Sequence, residues 1–116
     1  MDICFEGIGQ VAATFHTEAK LTPGMAVTMT GNGKVGLGKE NDPLCGVTVG
    51  AARGGAVAVQ IGGVAKVGCS DPASLNVGWQ KLACDGEGKV TAGAGNGANC
   101  LVLAVDENEK TAVIKL

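Results

Sequence analysis

The sequence predicts an all-β fold: a small β-barrel or sandwich built from two tandem, internally repeated β units. Composition is the first reason. The 116 residues include twenty glycines, two Phe, one Trp and no Tyr. Glycine supplies the positive φ of tight turns, and Val and Ile suit a pleated surface, so short strands joined by many turns are expected rather than long helices. Repetition is the second. Gly31–Ile61 superposes without a gap on Gly86–Leu116, an offset of 86 − 31 = 55 that sets GNGKV on GEGKV and Cys45-Gly46-Val47 on Cys100-Leu101-Val102. Neither unit is long enough to bury a core alone, so the two should pack as one body. Apolar alternation of period two in short runs is the third.

One domain over residues 1–116 is therefore expected, with a leader or arm and a first strand in 1–20, a first β unit in 21–67, a connector in 68–76 and a second unit in 77–116. In chain order, Met1–Gly9 is the leader, its apolar residues Ile3, Phe5 and Ile8 forming a candidate arm for a partner. Gln10–Thr17 reads as a strand with Val11, Ala13 and Phe15 on one face, reaching toward a neighbour. Leu21-Thr22-Pro23-Gly24 is a turn, and Met25–Thr30 alternates as a strand. Asn32-Gly33 signals a type I′ hairpin, with Lys34–Gly38 returning. Lys39–Pro43 is a polar loop, and strands follow at Leu44–Val49, Ala56–Ile61 and Val64–Val67. Ser70 or Asp71 is placed to cap a single helical turn at Pro72. The second unit then gives strands at Gln80–Cys84, Lys89–Ala92, Cys100–Val105 and Thr111–Leu116. A small-residue loop lies at Gly93–Asn99 and a charged hairpin tip at Asp106–Lys110. The last strand is expected to be tied into the sheet.

Charge argues against several function classes. The formal net charge is −2 and the Lys and Arg residues do not cluster, so the electrostatic footprint of a nucleic-acid binder is missing. No apolar run approaches the length of a membrane span, and Asp2 and Glu6 stand where a signal peptide has its basic start. Neither nucleic acid nor membrane is an expected partner.

The chemistry-bearing residues are sparse. Cys4, Cys45, Cys69, Cys84 and Cys100 are widely spaced, odd in number and never in a CxxC arrangement, with His16 the only histidine. A disulfide framework or zinc site is disfavoured, and the cysteines read as small buried hydrophobes, Cys45 and Cys100 at equivalent strand positions. Gly33–Glu40 is not a P-loop: the glycines lack the required spacing and lie in a hairpin. Glu40 with Asp42, and Asp106 with Glu107 and Glu109, lack the alternating oxygen ligands of a calcium site and read as solvated loop tips. Trp79, the only tryptophan, is expected as a core plug between the units. A Cys–His pair with His16 would need spatial approach and has no accompanying motif. No catalytic residue, cofactor site or metal site is assigned, and no enzymatic activity is expected.

Taken in order, these segments resemble a known family. A Pro-Gly turn and strand, GKVG, Cys45-Gly46-Val47 and VAVQIGGVAKV at 57–67 come first. An Asp-Pro loop, Gly78-Trp79, DGEGKV at 85–90 and a C-terminal strand follow. This order resembles the bacteriophage capsid cement (decoration) proteins of the DUF2190 type. The resemblance implies a non-enzymatic structural protein of a phage or prophage particle that binds and stabilises the capsid shell. Its partners would be copies of itself, trimers being common in the family, and the major capsid protein. It would be made in the host cytoplasm and sit on the virion surface. Physical chemistry is compatible with that role: repetition around a shell turns modest contacts into avidity, and a closed oligomer covers strand edges. The alternative is a carbohydrate- or cell-surface-binding β module, for which the few aromatics count as a deficit.

Overall fold

The computed structural model describes residues 10–93 and 97–116. The candidate arm residues Ile3, Phe5 and Ile8, Cys4, and the centre of the Gly93–Asn99 loop lie outside the described residues. The first five strands are β1 (Val11–His16), β2 (Ala26–Gly31), β3 (Lys34–Gly36), β4 (Gly46–Thr48) and β5 (Ala56–Gly62). They are followed by β6 (Val64–Gly68), a 3₁₀ turn at Pro72–Ser74, and β7 (Gly78–Cys84). The last three are β8 (Val90–Ala92), β9 (Ala98–Asp106) and β10 (Thr111–Lys115). No α-helix occurs among the described residues. The protein is all-β, as the alternation and glycine content predict.

The strands divide at Gly63. β1–β5 close into a barrel in the order β1-β3-β2-β4-β5, with β5 pairing antiparallel back onto β1 from Val11↔Gly62 to His16↔Ala56. β6–β10 form a second sheet in the order β6-β10-β9-β7-β8. The two share one pairing order. Reading the barrel as β1-β5-β4-β2-β3 and substituting β6, β10, β9, β7 and β8 gives the second sheet. The closing contact has a counterpart too: β1 meets β3 in parallel at His16↔Lys34, and Cys69 meets Val90 in a parallel bridge.

This division corrects several expectations. The stretch 21–67 is not one sheet, because β6 pairs with β10 in the second. β1 is not an arm reaching a neighbour: it pairs along its length with β5 of its own barrel and meets β3 at His16↔Lys34. The Asn32-Gly33 turn is not type I′, since Gly33 has φ 66° but Asn32 is not left-handed. A register shift between Met29 and Gly31 accommodates the turn instead. At the 3₁₀ turn neither Ser70 nor Asp71 caps through its side chain. Ser74 Oγ donates to the Asp71 carbonyl at 2.8 Å.

Period two also builds two cores with a shared wall. Within the barrel Leu21, Val27, Val35, Val57 and Val59 are buried together. The second core holds Leu82, Val90, Val102 and Ile114, and takes Ala26, Leu44 and Val47 from the barrel. Neighbouring residues of β2 thus serve different cores, Val27 the first and Ala26 the second, because successive side chains leave opposite faces of a strand.

Backbone hydrogen bonds fasten the junction. Ala26 N donates to Gly88 O at 2.8 Å, Cys84 N to Asp42 O at 2.7 Å, and Asn41 N to Cys84 O at 3.0 Å. At Gly46 the strands approach so closely that a Cβ would overlap the Gln60 carbonyl oxygen and come within 2.6 Å of Val59 Cγ1. The C-terminus is tied in as expected, Leu116 N donating to Gly63 O at 2.9 Å.

Candidate functional site

Three of the four described cysteines are buried as expected; Cys45 falls outside a strand and packs against the barrel core, so it is not the structural counterpart of Cys100 in β9. Cys69, Cys84 and Cys100 are buried in the second core, and Cys45 is half-buried immediately before β4. All four are free thiols. Burial pushes each thiol above its ordinary value, Cys84 up to about 12 with Cys45, Asp42 and Asp85 adding to the rise. A nucleophilic thiol needs the opposite shift, toward the thiolate at neutral pH. His16 is exposed at the end of β1, opposite Ala56 and Lys34 in register, so its strand neighbours include no cysteine.

The acidic loops shape the backbone. Asp42 Oδ2 accepts from Lys39 N at 2.9 Å, and Asp85 Oδ1 accepts from Glu87 N and Lys89 N at 2.8 and 3.0 Å. Asp106 Oδ1 accepts from Asn108 N and Glu109 N at 2.9 and 3.1 Å. These are side-chain-to-backbone turns of the usual Asx kind. Among the described residues no group of three or more His, Cys, Asp or Glu side chains could hold a metal ion.

Trp79 is the largest departure from expectation. It is 72 % exposed, and Val77 beside it is 70 % exposed, so it does not plug the core. On β7 the even-numbered Leu82 and Cys84 enter the core, and Trp79 shares the opposite face with Lys81. Trp79 stands opposite Leu101 of β9, and Leu101 stands opposite Lys115 of β10. Leu101, Leu103 and Val113 are half-buried and outside both core clusters. The outer face of the second sheet therefore presents a tryptophan on an aliphatic strip with lysines beside it. An exposed, rigid aromatic of this kind suits a binding contact, being apolar over its ring and polar at its Nε1–H.

A groove of about 340 Å³ lies at the junction of the two sheets. Its apolar wall includes Val47, Val49, Val64 and Ala65, and Gln10, Gln60 and Lys66 also line it. Gln60 is buried, with Nε2 donating to Gly62 O and Val64 O at 3.0 Å each, which fixes the crossover from barrel to second sheet.

No protein-family model matches this chain, and no curated protein matches it.

Proposed function

We propose that this chain is a non-enzymatic structural protein that works by binding, and that its role is to decorate and stabilise the capsid shell of a phage or prophage particle. The observation that carries the binding part is Trp79, held out to solvent beside Val77 on the outer face of a sheet. Burying such a side chain against a partner stabilises by roughly 1.5–3 kcal/mol for a large apolar group. The four described thiols, raised by burial, and the Asp42, Asp85 and Asp106 carboxylates, committed to turns, support a role without chemistry. The order of segments, which resembles that of capsid cement proteins, supports the choice of a shell as partner. Assembly with copies of itself, a trimer first, belongs to the same reading.

The test is co-sedimentation with shells assembled from the major capsid protein of the particle whose genome carries this chain, if it carries one, together with the shells' resistance to heating. Binding that raises shell stability and weakens at least tenfold in Trp79→Ala supports the reading. Tenfold corresponds to about 1.4 kcal/mol. Absence of binding to those shells at micromolar protein ends it.

The exposure of Trp79 also favours a second reading, a carbohydrate-binding β module, since stacking of a sugar on an exposed indole is how such modules grip. A glycan that quenches or shifts Trp79 fluorescence saturably, with no binding to shells, would select that reading.

A further inference from the structure

We infer that the outer face of the second sheet docks a second copy of this chain: Trp79, Lys81 and Lys115 of one copy receive the acidic β9–β10 tip, Asp106–Glu109, of the next. The inference rests on the self-assembly part of the proposed function and names its contact. Register fixes what the face carries. Trp79, Leu101 and Lys115 stand in one row across β7, β9 and β10, and Lys81 stands opposite Asn99 in the next row. Trp79, Lys81, Asn99 and Lys115 are exposed, with Leu101 half-buried among them. Val113 of β10 and Lys66 of β6 stand opposite each other and continue the face. No Asp or Glu occupies these rows. Among the described residues Lys66 pairs with Glu109 at 3.7 Å, whereas Lys81 and Lys115 form no ion pair.

The other end of the same hairpin carries the opposite charge. Asp106, Glu107 and Glu109 are exposed there, against the single cation Lys110. Along β9 the Trp79 row lies about 16 Å from Asp106, and Asn99 about 23 Å, at about 3.3 Å per residue. Screening reaches only about 8 Å at physiological salt, so the tip leaves Lys81 and Lys115 uncompensated within one molecule. Between molecules the two ends match. Pairing two such faces about a two-fold axis would bring the lysines of both copies together, a like-charge juxtaposition that costs. Head-to-tail docking sets carboxylates on ammonium groups instead. The indole of Trp79 adds an N–H donor and the positive edge of its ring, both of which attract a carboxylate. A head-to-tail contact closes into a ring or runs on as an open filament, and the trimer of the proposed function is a closed case. Shell binding would then depend on Trp79 through the avidity of the ring.

Reciprocal charge reversal tests the contact. Lys81→Glu with Lys115→Glu reverses the face. Glu107→Lys with Asn108→Lys reverses the tip and leaves the Asp106 turn and the Lys66–Glu109 pair intact. Solution mass is measured by light scattering in low salt, up to about 1 mM chain, the range in which a weak contact forms. The parent should associate, and more weakly as salt shortens the screening length. Trp79→Ala should raise the dissociation constant about tenfold, as loss of a central aromatic anchor does. Each reversed chain alone should remain at the mass of one chain, 11.4 kDa, with the parent's far-ultraviolet dichroism. An equal mixture of the two should regain association, because each reversed surface then meets its complement. Three results would overturn the inference: a parent that is monomeric throughout, association unchanged in both reversed chains, or a mixture that stays monomeric. Co-sedimentation of the parent with shells is run in parallel. Shell binding by a strictly monomeric parent would overturn this contact and leave the proposed function standing.

Discussion

The barrel and the second sheet are the same pairing scheme carried out to different degrees. In the barrel, β1 runs antiparallel along the length of β5 and touches β3, so the ring closes. In the second sheet β6 runs along β10, but its approach to β8 is reduced to the bridge between Cys69 and Val90. The cores differ in the opposite sense. The closed barrel buries a small set of mostly valines, and the less closed sheet buries the larger set, completed by Ala26, Leu44 and Val47 from the barrel. Closure by hydrogen bonds and closure by packing thus substitute for one another. The barrel spends the outward face of β2 and β4 on its neighbour, and the neighbour uses that face as its missing wall. The second core is incomplete without Ala26, Leu44 and Val47, and the barrel would expose that same face without the second sheet, so the two should unfold together.

The strongest break in this arrangement is in the larger core. Leu82→Ala removes a fully buried side chain of the second core and should cost about 4 kcal/mol. Val59→Ala in the barrel should cost about 2 kcal/mol, with less apolar area removed. Thermal melts should show one transition in both variants. Two separated transitions in either would show that the shared wall does not couple the halves.

A second break falls on the wall itself. Gly46→Ala drives a methyl group into the Gln60 carbonyl and Val59 Cγ1, neither of which is the free end of a flexible chain. The expected loss is about 3 kcal/mol in denaturant unfolding, by forced displacement of packed strands. An unchanged midpoint would mean that β4 and β5 can slide apart at no cost.

Alkaline titration sharpens the comparison without mutation. Cys84 lies in the second core beside the junction, and its thiol is pushed from an ordinary 9.0 up to about 12. Between those values the unfolded chain has lost the proton and the folded chain keeps it. Stability from this group is therefore full below pH 9 and falls as pH rises toward 12. Cys84→Ala should start from lower stability and show a shallower alkaline decline. An equal decline would assign the loss to other groups.

The smallest effect compares the hairpins that enter the closing strands. Lys110 and Gly55 are equivalent at the offset of 110 − 55 = 55, and both are left-handed, with φ of 54° and 79°. A side chain pays about 1–2 kcal/mol for that conformation, partly offset by the greater entropy glycine loses on folding. Lys110→Gly should raise stability by up to about 1 kcal/mol, and Gly55→Lys should lower it by about the same amount. A destabilised Lys110→Gly chain would show that the lysine makes a compensating contact.

Trp79 shows how a legible signal goes unread. It shares strand parity with Lys81, and Gln80 shares parity with Leu82 and Cys84, so alternation alone points the indole outward. Its size and its uniqueness suggest a core plug, and the period overrules both. The turn at Asn32-Gly33 is a different case. The dipeptide permits a type I′ turn, but the register offset that selects another geometry depends on where β2 and β3 pair. The groove had no sequence signal, because Gln10, Val49, Gln60 and Lys66 meet only after the sheets dock.

Local physics determined the strands, their faces and most turns: alternation assigns each apolar residue to a side, and glycines and Asx residues close the loops. It also determined that Cys69, Cys84 and Cys100 would be buried, as small apolar side chains beside valine-rich strands. The tertiary structure decided which strands pair: β6 joins β10 and not β5, and β1 returns to its own barrel. It decided as well that one face of β2 and β4 belongs to a second core. Pairing across long stretches of chain is set by which apolar faces can be buried together at the lowest loop-closure cost, a property of the assembled sheets that no single window of residues contains.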